Sequence, residues 1–229
     1  MQLVFIHGSG GAGDVWQYQL DAFPGSVAPT LPGHPVGEVI STVEGYVHWV
    51  HDFIQSNGYK DVVLVGHSLG GGIALQYALD YPGELIAIVP VGSGARLRVN
   101  SDYLTELEAA ISSDSGPWFK RQEERTALME PTFRESFLRK RRAIGPAPQL
   151  NDLRACDKFD VMNRVGEIKL PVLLICGTED AMTPVKYHQY LAERLPGTKL
   201  VIIPDTTHYV FTEKPVEVNQ ALKEFVEAL

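Results

Sequence analysis

Gly66-His67-Ser68-Leu69-Gly70 stands directly after the apolar run VVLV (62–65) and directly before a helical pattern that opens at Gly71. A serine on a sharp strand-to-helix turn projects its hydroxyl above a sheet, and the crowding of that turn calls for glycine two residues to either side. The helix start behind it offers backbone N–H groups and a positive dipole end to developing negative charge. G-x-S-x-G alone arises by chance in roughly one chain of this length in ten. Its single occurrence, between a strand and a helix that are legible independently, makes Ser68 the candidate nucleophile.

A serine nucleophile needs a base within hydrogen-bond reach and a carboxylate that holds the base in the right tautomer. The order along the chain that accompanies this turn is Ser, acid, His. Of seven histidines only His188 and His208 follow Ser68. His208 comes just past the run KLVIIP (199–204), at a sheet edge where side chains converge on a site. His188 falls in a helical stretch with Tyr187 and Tyr190, which predicts a surface residue. The acid should end the preceding strand, and VLLIC (172–176) runs into Gly177-Thr178-Glu179-Asp180. Spacing leaves both Glu179 and Asp180 open, with Asp180 favoured.

Attack on a carbonyl creates an oxyanion, and a preorganised N–H donor there contributes about 3 to 4 kcal/mol to transition-state stabilisation. Leu69, the residue after the nucleophile, supplies one such N–H. The second is expected from His7-Gly8-Ser9-Gly10-Gly11, after the first strand, with Ser9 the first choice and Gly10 its nearest competitor. The same loop makes a poor phosphate cradle, because it lacks both a Lys-Ser/Thr ending and a GxGxxG followed by an acidic ribose ligand.

The elements that must position these residues follow from five apolar runs: LVFI (3–6), VVLV (62–65), LIAIVPV (85–91), VLLIC (172–176) and KLVIIP (199–204). Continuous runs of this kind fit strands of a parallel sheet covered on both faces. Helical spacing appears between them, as in Val43, Val47, Val50 and Ile54 before Asn57-Gly58, and in 185–195 and 216–228, each opening just after a proline. The alternation predicts an α/β fold, three layers around a doubly wound, mostly parallel sheet, as one domain over 1–229. Residues 95–168 break the rhythm with charged, helix-favouring sequence and no convincing strand, so they form a helical insertion.

Composition narrows the remaining choices. The formal charge of −8 argues against nucleic acid as a partner, since phosphate binding needs concentrated Lys and Arg. The charge is uneven: residues 96–169 hold 14 of the 20 Lys and Arg against 12 of the 28 Asp and Glu. Within them, Arg139-Lys140-Arg141-Arg142 fits a solvated helix face or, less simply, a surface for an acidic substrate. No run approaches the ~20 residues of a membrane span, and the N-terminus lacks a basic leader, so a cytoplasmic protein is expected. Cys156 and Cys176 have no metal-ligand spacing and fit reduced, buried thiols. No metal or organic cofactor is called for. The expected state is a monomer or small homo-oligomer. Tyr103, Trp118, Phe119, Phe133, Phe137 and Phe159 either line an acyl pocket or dock the insertion onto the core.

Taken together, HGSGGAGDVW, LPGHP, GHSLGGGIAL, PVLLICGTEDAMTP and DTTHYVFTEKP resemble landmarks of the α/β-hydrolase superfamily, in its branch of small esterases, thioesterases and haloperoxidase-like enzymes. The resemblance covers residues 1–94 and 169–229. It implies that Asp180 in GTED is the acid, His208 the base, and the insertion a helical cap lining the substrate pocket. It also implies a two-step cleavage of a small-molecule ester or thioester through an acyl-enzyme on Ser68. Ser68 stands where dehalogenases and epoxide hydrolases carry an aspartate. A sensor that keeps the three residues but binds more than it turns over is the alternative. Two departures are visible: one or two strands that the family places ahead of LVFI are missing, and Thr30 occupies a position where aspartate is common. The latter should affect local packing, and His34 nearby is expected to be a loop histidine, with a minor role near the pocket as the alternative.

Overall fold

The computed structural model describes all 229 residues. Five strands, β1 (Gln2–Ile6), β2 (Val62–His67), β3 (Leu85–Val91), β4 (Leu173–Gly177) and β5 (Lys199–Ile203), form one parallel sheet in the order β1-β2-β3-β4-β5. A single parallel bridge, Val4–Val27, extends the sheet beyond β1. The chain therefore steps to one side of β1 first and returns to lay β2 on the other, so the winding reverses at β1.

Alternation along each strand sends successive side chains to opposite faces, and both faces are apolar. Val4, Ile6, Val62, Leu64, Ile88 and Leu174 face one layer, built from α2 (Val43–Ser56), α3 (Leu69–Asp80) and α8 (Val185–Ala192). Leu3, Phe5, Val63, Val65, Val89, Leu173 and Ile175 face the other, with Trp16, Phe211 and the helix α10 (Pro215–Val226). This is why the runs are continuously apolar, as a sheet covered on both faces requires. The short α1 (Gln17–Ala22) and α9 (Val210–Glu213) complete the second layer.

Between β3 and β4 the chain makes four helices: α4 (Ser101–Ser112), α5 (Gly116–Arg125), α6 (Pro131–Ile144) and α7 (Pro146–Lys158). They carry a small core of their own, in which Tyr103, Leu107, Trp118, Leu150 and Leu153 are buried together. Phe159 is buried in the main core beneath α3. The aromatic residues thus divide: Trp118 and Tyr103 hold the insertion together, Phe159 docks it, and Phe133 and Phe137 both pack against the second layer's core and line a cavity. No helix is long and apolar enough to cross a membrane.

Candidate active site

The turn after β2 is fixed by sterics. A Cβ on Gly66 would lie 2.0 Å from the Gly70 carbonyl oxygen, and one on Gly70 would lie 2.3 Å from the Ile6 carbonyl oxygen. Only glycine at both positions lets the chain fold back this tightly. Ser68 between them has φ 54° and ψ −113°, a strained conformation for a residue with a Cβ. The strain is held from both sides: Ser68 N–H donates to the Val91 carbonyl (2.9 Å), and the Ser93 hydroxyl donates to the Ser68 carbonyl (2.8 Å). Leu69 is the first residue of α3, so its N–H has no intrahelical acceptor, and it donates to no other protein atom.

His208 follows β5, and Asp180 lies in the loop after β4. The His208 Nδ1 atom lies 2.8 Å from Asp180 Oδ2, both side chains nearly or fully buried. Asp180 is held from every side: Oδ1 accepts from the N–H groups of Met182 (2.8 Å) and Thr183 (2.9 Å), and Oδ2 also accepts from the Thr183 hydroxyl (2.7 Å). Burial works against its ionisation, but the neighbouring His208 charge and these hydrogen bonds outweigh it and hold the carboxyl well below the usual carboxylate range. An acceptor fixed at Nδ1 leaves Nε2 as the ring atom that can take a proton. Glu179 is exposed and donates its own N–H to the Thr206 carbonyl, so the carboxylate that meets the histidine is that of Asp180.

Ser68, His67, His208, Ser9, Arg141 and Met182 line one narrow cavity. No hydrogen bond joins the Ser68 hydroxyl to His208, a contact that commonly tightens only with substrate in place. The loop after β1 forms the opposite wall. Gly10 N–H donates to Asp152 Oδ2 (2.7 Å) and Gly11 N–H to the Gly8 carbonyl (3.0 Å), while Ser9 N–H donates to no protein atom. A second, roomier cavity shares Gly11, Val15, Phe137 and Arg141 with the first, continuing it along the face of α6 that carries Phe133 and Phe137.

Asp152, on α7, is the largest element of the site that the sequence hid. Fully buried, its carboxylate accepts from Gly10 N–H, from His34 Nε2 (2.7 Å) and from the Tyr46 hydroxyl (2.6 Å). His34 Nδ1 also faces acceptors, the carbonyls of Leu31 (3.0 Å) and Pro32 (3.1 Å), so both ring nitrogens are placed as donors and the ring is an imidazolium. Burial opposes that charge, and Asp152 more than offsets it, raising the His34 pKa. His34 lies in a loop, as expected, but it is buried there, at 4% exposure. Nothing in the sequence pairs residues 118 positions apart, so this contact was not legible there.

The other histidines near the site are neutral. His7 donates Nδ1–H to the Gly8 carbonyl (2.8 Å) and accepts Leu31 N–H at Nε2 (2.9 Å), and burial lowers its pKa to about 4. His67 donates Nε2–H to the His208 carbonyl (2.9 Å), and burial with the nearby His208 charge keeps it well below its ordinary value. His188 corrects the sequence expectation: it is 0% exposed, not a surface residue, because α8 turns it inward to accept Ser93 N–H at Nε2 (3.1 Å). Thr30 accepts Gly13 N–H (3.0 Å), a local packing role. No group of three His, Cys, Asp or Glu side chains converges as a metal site.

With the fold and this geometry in view, comparison with known proteins is decisive for the family. Residues 3–221 match the alpha/beta hydrolase family. The chain belongs to that family. A solved thermophilic esterase is 33% identical, with a TM-score of 0.85, over 99% of this chain and 89% of that one. The pimeloyl-[acyl-carrier protein] methyl ester esterase of Neisseria meningitidis is 26% identical over 100% of this chain and 77% of its own. Protein ABHD8 of Bos taurus is 28% identical over 98% of this chain; the chain spans 55% of that relative's length. These likenesses support an esterase-like member of the family.

Proposed function

We propose that the protein is a serine esterase that cleaves a small-molecule carboxylic ester through an acyl-enzyme on Ser68. The observation that carries this reading is the His208 Nδ1 to Asp180 contact of 2.8 Å opening onto the same cavity as Ser68. In the first step His208 Nε2 takes the hydroxyl proton as Ser68 Oγ attacks the carbonyl carbon. Asp180 keeps the ring in the Nδ1–H tautomer and stabilises the imidazolium that forms.

The oxyanion falls to the unpaired N–H groups of Leu69 and Ser9. That Gly10 N–H is already donated to Asp152 supports Ser9 over Gly10 as the second donor. His208 then returns the proton to the departing alcohol. Water, activated by the same ring, attacks the acyl-enzyme, releases the acid and restores Ser68. The four-helix insertion acts as a cap, since α5, α6 and α7 contribute Arg125, Phe137, Arg141 and Gln149 to the walls around Ser68. The free, buried state of Cys156 and Cys176 supports a reducing compartment such as the cytoplasm.

The test is fluorophosphonate labelling together with turnover of short p-nitrophenyl esters. The wild-type protein should label and turn over; Ser68→Ala should do neither. Full ester turnover by Ser68→Ala would overturn the assignment.

A further inference from the structure

The basic run of α6 is not one surface. Lys140 pairs with Asp14, Arg139 donates to the Ser136 hydroxyl (3.3 Å), and Arg142 lies 3.9 Å over the Phe119 ring. Arg141 alone turns inward. It is 3% exposed, yet no carboxylate lies within ion-pair distance of it. Its single protein hydrogen bond runs from Nε to Gln122 Oε1 (3.3 Å). The guanidinium sits against the loop after β1, where a Cβ on Gly10 would come within 2.8 Å of Nη1. Its terminal nitrogens, carrying four N–H groups, donate to no protein atom, and Arg141 is one of the residues lining the cavity that contains Ser68.

A buried guanidinium without a counter-charge is costly, and such groups are ordinarily paired. A second cation, Arg125, lines the same cavity from α5; it forms no ion pair and rests 4.4 Å over the Tyr103 ring. No Asp or Glu lines this cavity. A cavity wall with two cations, no anion and a planar fork that lacks protein acceptors at its terminal nitrogens matches the bidentate geometry of a carboxylate. We infer that the cavity is built for an ester that also carries a carboxylate, which Arg141 binds through its terminal nitrogens with Arg125 supporting. The inference deepens, and rests on, the serine-esterase reading of the site.

The test compares esters matched in length and differing in one charge. In the acyl part, the mono-p-nitrophenyl esters of glutarate and adipate are set against p-nitrophenyl valerate and hexanoate; in the alcohol part, 4-(butanoyloxy)benzoate is set against phenyl butyrate. In at least one of the two sets, wild-type kcat/KM for the carboxylated ester should exceed that for its neutral partner about tenfold or more. Arg141→Met should collapse that ratio toward one, and Arg141→Lys should keep part of it. A wild-type ratio at or below one in both sets overturns the subsite whatever the variants do. So does a ratio that survives Arg141→Met.

Failure of the esterase reading looks different, because then no ester is hydrolysed and no fluorophosphonate label appears. In that event calorimetric titration with glutarate decides the subsite. Binding by the wild type and not by Arg141→Met supports it, and absence of binding by the wild type overturns it.

Discussion

Replacing Asp152 by leucine takes the acceptor away from three donors at once while putting an apolar side chain of similar size in its place. His34 loses the counter-charge at 2.7 Å that keeps it an imidazolium, and the Tyr46 hydroxyl and Gly10 N–H are left without their partner. Breaking a buried charge pair from one side costs about 3 to 5 kcal/mol, and each orphaned buried donor about 1 to 3 kcal/mol. These terms overlap because His34 can neutralise itself and relax, so the expected loss is about 4 kcal/mol, a large share of the stability of an ordinary domain. A kinetic effect accompanies it. Gly10 N–H is the tether of the loop that carries Ser9, and outright removal of an oxyanion donor costs about a hundredfold or more in kcat. A loosened donor should cost about tenfold, with a smaller change in KM. Urea unfolding and steady-state hydrolysis of p-nitrophenyl butyrate measure the two effects on one preparation. Asp152→Asn should fall between the leucine variant and the wild type, since one amide oxygen still accepts from Gly10 N–H and His34. A leucine variant within 0.5 kcal/mol and twofold in kcat of the wild type, margins set at about the size of a neutral surface substitution, would refute the tethering argument.

Gly70→Ala places a Cβ 2.3 Å from a backbone carbonyl oxygen that cannot move aside, so this variant should lose about 3 kcal/mol or more, or fail to accumulate as folded protein. Thermal melts against a Gly58→Ala control, where a Cβ meets nothing although φ is +67°, separate steric from conformational cost. Acid should weaken the fold early. His7 and His188 titrate near 4 in the native state because burial disfavours their charge, so between about 6.5 and 4 the unfolded chain binds the extra protons and stability falls as pH falls. By pH 5 this amounts to roughly 2 kcal/mol for each of the two, and His34, whose pKa is raised, works in the opposite sense. Equal urea midpoints at pH 7.5 and 5 would contradict it. Burial pushes both thiols up to about 12, so a disulfide reagent at pH 8 should modify neither Cys156 nor Cys176 in the native protein and both in urea.

The sheet was legible because each strand is an uninterrupted apolar run bounded by turn residues, and the observed strands fall on those five runs with end shifts of one or two residues. The helices that flank it carry a 3.6-residue apolar period and were legible for the same reason. His188 was misjudged because its helix has aromatic and polar residues on several sides, and only the packing of α8 onto β4 tells which side turns inward. Spacing left Glu179 and Asp180 open and only the family resemblance preferred Asp180, because adjacent loop residues differ in direction and not in position along the chain. Asp152 was invisible for a different reason: its three partners come from three separate loops and helices, and no local pattern marks an aspartate for burial. In the basic run, charge was legible but direction was not. Consecutive helical positions point about 100° apart, so four adjacent cations meet four different surroundings.

The sheet has a seam. Six positions pair between β2 and β3 and five between β4 and β5, but β3 and β4 meet only at Val91–Ile175 and at the bridge Ile88–Val172. Ser68, the proposed nucleophile, belongs to one side of that seam and Asp180 and His208, the proposed acid and base, to the other, while the four helices are spliced in at the seam itself. A lineage can therefore lengthen, shorten or exchange the spliced helices without disturbing the register of either half, which is a ready route to new substrates. The exchange carries one condition. Whatever replaces α7 has to deliver a hydrogen-bond acceptor to the place of Asp152, so inheritance of the cap and inheritance of the loop after β1 are tied together at a single residue.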